Sequence, residues 1–201
     1  MCCRYWMEES PELRDIVEEM KQSPLVSKWQ RTTEMKTHGE IRPTDVAPVI
    51  APNHSGERAV FPMKWGYSGK SLLINARSET AAAKPTFRED WQRHRCIIPA
   101  SWYLEWEHII GINGKKRIGD KYKIRPQDSA ETWLCGLYRI EEGLPHFVIL
   151  TRDPGAEIRF IHDRMPLILP ENRIIDWILP DSQPEKLLGE AVTEMSFEKS
   201  E

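Results

Sequence analysis

The sequence predicts a mixed α+β fold, and three observations lead to it. A capped amphipathic helix stands near the start, a series of short β-rich runs follows, and helical pieces return only between and after those runs. Strands and helices do not alternate regularly, which argues against a doubly wound sheet. At 201 residues the chain is long enough to bury a sizeable core and suits one medium domain.

The elements follow in order. Ser10 can cap a helix whose first position is Pro11, and Leu13, Ile16, Val17 and Met20 recur at helical spacing, so one face is buried. Pro43, Pro48, Pro52 and Pro62 punctuate the next stretch, which reads as loops with short edge strands. Strand candidates are Leu72-Leu73-Ile74, Cys96-Ile97-Ile98, Trp102 to Trp106, Tyr122-Lys123-Ile124, Thr132 to Cys135 and Phe147 to Thr151. Glu79 to Lys84 and Phe87 to Arg95 read as helical pieces parted by Pro85. Gly111-Ile112-Asn113-Gly114 marks a hairpin-like turn. A helix is expected near Arg173 to Leu179, and another after Pro184.

Composition narrows the class. Hydrophobic content of 40% and charged content of 29% suit a globular protein and argue against wholesale disorder. No apolar run reaches transmembrane length, and no secretion signal opens the chain, so a cytoplasmic protein, nucleoid-associated when bound to DNA, is expected. Net charge is −3, but residues 8–19 hold six acids against one base and residues 181–201 hold six against two. The remainder carries 25 basic and 19 acidic residues, which permits a basic face between acidic ends. The same runs also suit simple solvation of helix faces. Cys2, Cys3, Cys96 and Cys135 form no Cys-x-x-Cys pair, so neither a zinc site nor a disulfide framework is expected. Cys96 and Cys135 lie in apolar runs and read as core residues.

Cys2 needs its own account. Removal of Met1 would leave a thiol beside a free α-amine, with ordinary pKa values of about 8.5 and 7.7–8.0. An aldehyde meeting that pair can form a Schiff base with the amine and then close a thiazolidine ring with the thiol. An incidental residue at a frayed terminus is the competing reading. Three further groups weigh on it. Asn75-Ala76-Arg77-Ser78-Glu79-Thr80 puts a polar cluster where an apolar strand turns toward a helix; Asn75 and Ser78 also suit helix capping, whereas Arg77 suits phosphate. Glu105 sits among Trp102, Tyr103, Leu104 and Trp106, where desolvation raises a carboxyl pKa toward general acid/base work, although a solvent-facing acid on an amphipathic strand fits as well. His162 precedes Asp163 and Arg164, a run that suits proton transfer or an ordinary surface ion-pair network.

Five motifs then occur in order: Met1-Cys2-Cys3-Arg4-Tyr5, Trp65-Gly66-Tyr67, Asn75 to Thr80, Trp102 to Trp106, and His162-Asp163-Arg164-Met165-Pro166. Together they resemble the SOS response-associated peptidase (SRAP) family, the abasic-site processing proteins. The resemblance implies one SRAP-like domain over residues 2–201 with Met1 removed, built of twisted antiparallel β-sheets that form a barrel-like core with helices around it. It implies a monomer that binds single-stranded DNA and forms a covalent thiazolidine crosslink with abasic sites. Carried onto these positions, Cys2 is the nucleophile, Asn75 holds the amine or the sugar, Glu105 shuttles protons and His162 assists, including in reversal. Arg4, Arg77 and Arg164 would hold phosphates, while Pro43, Trp65, Gly66, Ser78, Trp106 and Thr151 would line the DNA path. No metal, organic cofactor or membrane is implied. A cysteine peptidase with an N-terminal nucleophile and a non-catalytic single-strand binder are the alternatives. This chain departs from the family pattern at Cys3, where glycine is usual, around Glu40 to Asp45, and in a short loop from Trp65 to Leu72. It also ends at Glu201, where many members continue into a final strand, so one sheet edge is expected to be missing or differently covered.

Overall fold

The computed structural model describes residues 2–31, 33–111 and 114–200. The first half contains β1 (Arg4–Met7), α1 (Pro11–Lys21), α2 (Val26–Trp29), β2 (Gly39–Ile41), β3 (Val46–Pro52), β4 (Arg58–Trp65), β5 (Asn75–Arg77), α3 (Ser78–Ala81) and α4 (Arg88–Arg93). The second half contains β6 (Arg95–Ala100), β7 (Trp102–Ile110), β8 (Lys116–Pro126), β9 (Thr132–Glu141), β10 (Leu144–Arg152), β11 (Met165–Pro166), α5 (Ile174–Ile178), α6 (Pro184–Leu187) and β12 (Met195–Lys199).

The expected mixed α+β fold is present. β3, β4, β6, β9 and β10 close on themselves, because β9 pairs with β6 on one side and β10 on the other while β10 also meets β4. A second sheet runs β12-β8-β7-β1-β2. Most neighbours are antiparallel, but β10 pairs in parallel with both β4 and β5. Ile97, Leu134, Cys135, Phe147 and Ile149 are fully buried within the core, and Cys96 joins them as expected.

α1 forms as its sequence dictates. The Ser10 hydroxyl accepts the Leu13 N–H at 3.2 Å, Pro11 takes a position that needs no N–H donor, and Leu13, Ile16 and Met20 are buried. The proline-rich stretch corrects the expectation of loops and short edge strands. β3 and β4 pair over seven consecutive positions, and both belong to the closed barrel. Pro48 lies directly opposite Pro62. Neither can donate, so they fit a pair whose N–H groups would in any case point away from that ladder. Two prolines thus share one tolerated position.

Strand placement at Leu72-Leu73-Ile74 also needs correction. Only Leu73 bridges, to Tyr67, and the strand β5 begins one residue later, in the polar cluster itself. The other expected strands form with longer bounds, whereas the helical pieces expected from Glu79, Phe87 and Arg173 form with shorter ones, as α3, α4 and α5. Ile112 and Asn113 of the expected turn lie outside the described residues; Gly114 closes it with its N–H on the Gly111 carbonyl at 2.8 Å. β12 covers the edge of β8 over five paired positions.

Candidate active site

Cys2 stands two residues before β1, completely buried, with its thiol donating to the Arg4 carbonyl at 3.7 Å. Asn75 is 73 positions away in sequence, yet its side-chain amide donates to the Cys2 carbonyl at 2.8 Å. The parallel pairing of β5 on β10 makes this contact possible, setting Asn75 opposite Ile149 and Arg77 opposite Thr151. Thr151 is fully buried, and its hydroxyl reaches the Ala76 carbonyl at 3.4 Å.

Glu105 arrives from β7. Arg4 pairs with Leu104 and Tyr5 with Tyr103, so Glu105 is one step beyond the β1 ladder, level with the cysteines. Its side chain is buried, and burial pushes its carboxyl above the ordinary range. Burial likewise pushes the Cys2 thiol well up, with the nearby Glu105 charge adding to the effect. Around this pair, the Tyr5 hydroxyl, the Tyr103 hydroxyl and the Asn75 side-chain oxygen are buried without a hydrogen-bond partner among the described residues. Buried polar atoms are nearly always satisfied in folded proteins. Three of the nine such atoms among the described residues belong to side chains around Cys2.

His162 is buried, following a 3-10 turn at Ala156–Ile158. A main-chain bond from the His108 N–H to the Ile161 carbonyl, 2.9 Å, ties its segment to β7. The His108 and His162 rings lie 4.1 Å apart at their centroids. His162 Nδ1 is 3.0 Å from the Arg164 N–H and 2.8 Å from an Asp163 carboxylate oxygen. The first partner requires a lone pair on that nitrogen and the second a proton, so each suits a different protonation state. The Trp106 N–H, donating to Glu105 at 3.2 Å, draws its carboxyl back down against the larger effect of burial, and His108 adds a smaller pull. Asn75 thus meets Cys2 through a hydrogen bond and His108 meets His162 through ring contact, while Glu105 influences Cys2 and is influenced by His108 only through its charge.

The residues expected along a DNA path divide into surface and support. Arg77 is exposed. Arg4 pairs with Glu40 at 2.5 Å and lies 5.2 Å from the Trp106 ring centroid, which Lys121 flanks at 5.6 Å. Burial pushes the Glu40 carboxyl up, but hydrogen bonds from Arg42 and Arg4 outweigh it and hold the group below its ordinary value. Half-buried Pro43 sits in a turn whose next residue, Thr44, donates to the Trp65 carbonyl at 2.8 Å. Trp65 itself is fully buried, with its indole N–H on the Ile74 carbonyl, so it supports the site from beneath. Gly66 has a φ of +117°, a backbone conformation that other residues rarely adopt, which explains the glycine. Ser78 is buried. Arg164 bonds both oxygens of Glu79, an Asp153 oxygen and the Thr151 carbonyl, so it braces β10 against α3.

Two features escaped sequence reasoning. One is His108, which looks like a polar residue on an exposed strand end. The other is the breadth of the outer face of the second sheet, where Trp6 stacks on Trp102 at 5.9 Å and Lys123 lies 4.9 Å over the Trp102 ring. The spacing of Trp102 and Trp106, with Lys121 and Lys123 at the same period of two, was the available signal.

Comparison with known proteins identifies relatives of the chain. The family model for SRAP, "SOS response associated peptidase", matches residues 1–200. The abasic site processing protein YoaM of Bacillus subtilis is 36% identical over 121 residues, which cover 57% of this chain and 51% of YoaM. The abasic site processing protein YedK of Escherichia coli is 33% identical over 128 residues, covering 58% of this chain and 54% of YedK. These matches thus span about half the length of each relative. A crystal structure of a Bacteroides thetaiotaomicron protein shares the fold at a TM-score of 0.73 and 21% identity, covering 100% of this chain and 92% of that one.

Proposed function

The chain belongs to the SRAP family, and on that premise we propose that it binds single-stranded DNA and bonds covalently to abasic sites through Cys2, shielding them from strand cleavage. The observation that carries the reading is the buried meeting of Asn75, Cys2 and Glu105, with three unpaired polar atoms around it.

Removal of Met1 frees the α-amine that the chemistry requires. The amine attacks C1′ of the ring-opened sugar, and a proton from Glu105 lets the hydroxyl leave as water, giving a Schiff base. The Cys2 sulfur then adds to the same carbon while its proton passes to the imine nitrogen, closing the thiazolidine. One water is lost overall, and no oxidant is involved. A thiol that burial keeps protonated suits this order, since sulfur acts second and needs a proton acceptor nearby. Asn75 orients the Cys2 main chain, and His162 moves protons during reversal.

Arg77, Arg4 and Trp106 supply phosphate and base contacts on the approach to Cys2, which requires no sequence preference. Trp65, Gly66, Thr151 and Arg164 hold the backbone beneath that path, with Pro43 and Ser78 at its walls. The single domain is proposed to span residues 2–201 and to act as a monomer.

Incubation with uracil-excised single-stranded DNA, followed by a denaturing gel, tests the reading. The wild-type protein should give a heat-stable DNA–protein band, Cys2→Ala should give none, and intact mass should lack Met1. A stable band from Cys2→Ala would overturn the thiazolidine.

A further inference from the structure

Where β7 meets the segment after the Ala156–Ile158 turn, His108, His162 and Asp163 each offer a donor atom, all within 4.8 Å of one another. We propose that these three side chains form a binding site for a divalent transition metal of the zinc type, and that its occupancy withdraws His162 from proton transfer. The second part rests on the reading of Cys2 and His162 given above.

The chemistry of the donors selects the ion. Two neutral imidazoles and one carboxylate are ligands that zinc accepts, in a three-ligand arrangement that leaves a fourth position open. Calcium and magnesium prefer oxygen donors and fit poorly. The site is built in its backbone as well. The His108 N–H bond to the Ile161 carbonyl, at 2.9 Å, fixes the strand carrying one ligand against the segment carrying the other two. The two rings, tilted by 53°, already lie 4.1 Å apart at their centroids.

Zinc–nitrogen and zinc–oxygen bonds of about 2.0–2.2 Å bring donors to roughly 3.3 Å of one another in a tetrahedron. With every donor pair already within 4.8 Å, no pair need close by more than about 1.5 Å. His162 is buried and held, whereas His108 is exposed and the Asp163 side chain is 77% exposed, so the two outer ligands are free to turn inward. Metal bonding occupies a lone pair on His162 and fixes its charge. A crosslink formed at Cys2 would then reopen more slowly, so the metal would hold the protein on its DNA.

Cobalt(II) is the probe, because its absorption reports both geometry and ligand type. Titrating it into the full chain without DNA should give visible bands that zinc bleaches, with no thiolate-to-cobalt charge-transfer band. His108→Ala should weaken binding by about tenfold or more, the scale on which losing a metal's supporting groups acts. Asp163→Asn should weaken it less. A thiolate band would place the ion on Cys2 and Cys3 and overturn the site, as would unchanged affinity in His108→Ala. With DNA present, zinc should slow release of the crosslink from the wild type but leave release from His108→Ala unchanged. Equal effects on both, or none, would overturn the regulatory half. Failure of the metal-free protein to form any crosslink would sink the reading of Cys2 and the regulatory half with it, while the cobalt titration would still decide the site.

Discussion

Two buried polar centres in this molecule are built on opposite principles. Arg95, at the start of β6, is 1% exposed, and its guanidinium donates to the carbonyls of Trp91, Gln92, Trp177, Leu179 and Pro180 and to the Ser182 hydroxyl. It fastens α4 and the end of α5 to the barrel through bonds that use every guanidinium nitrogen. At Cys2 the polarity is left open: the Tyr5 and Tyr103 hydroxyls and the Asn75 oxygen are buried without partners among the described residues, beside a carboxyl that burial pushes up. Saturated polarity gives a rigid joint, whereas unsaturated polarity carries a standing cost that a bound ligand can relieve. The two centres should therefore respond oppositely to substitution.

Glu105→Gln offers the strongest test of the contrast. If Glu105 supplies a typical general acid/base contribution, crosslink formation should slow by about ten- to ten-thousandfold. Stability should move the other way. A buried carboxyl whose pKa is raised on folding binds its proton more tightly in the native state, so stability declines as pH rises from the unfolded carboxyl range through the folded value. Glutamine removes that decline, and melting at pH 7 should rise by roughly 2–4 °C for about 1 kcal/mol. Slower chemistry accompanied by a lower melting temperature would break the comparison.

Arg95→Met should do the reverse. Leaving several carbonyls unsatisfied should destabilise the fold by about 3 kcal/mol, or roughly 6–12 °C in melting temperature. Crosslinking per folded molecule should be unchanged. Should the rate fall along with stability, Arg95 would be coupled to the site and the division drawn here would fail.

His162→Ala sharpens the comparison within the open centre. Formation should proceed nearly as in the wild type, while release into excess competing abasic DNA should slow by at least about tenfold. Equal slowing of both directions would merge the roles of Glu105 and His162. The smallest effect is expected from Arg77→Ala, on the exposed path outside both centres. It should weaken single-strand binding for every base context and lower the salt slope by roughly 0.7, the value of one phosphate contact. A change confined to one base context would mean that Arg77 reads bases.

Much of this was legible in the residues themselves. Ser10, Pro11 and the apolar spacing that follows define α1 because capping and periodicity act over a single turn. The order of the motifs from Cys2 to Pro166 was sufficient to place the family; the raised carboxyl of Glu105 follows from burial, to which Trp102 and Trp106 contribute little because strand alternation sets them on the outer face beside Arg4, Lys121 and Lys123. The polar cluster at Asn75 was visible too, though not as a strand. Only tertiary pairing turns it into β5, because its ladder partner is β10, more than 70 positions along the chain.

Pairing over such distances also decided the rest. Pro48 and Pro62 disfavour strands by every local rule, yet each lies where the other's missing donor is not needed, and that match exists only once β3 and β4 meet. Trp65 reads as a surface aromatic until the barrel closes over it. His108 gains its neighbour because a strand end and a distant turn share one main-chain hydrogen bond. Local sequence sets the chemistry each side chain can perform; which of them share a site is set by long-range strand pairing, and no short window of sequence contains that.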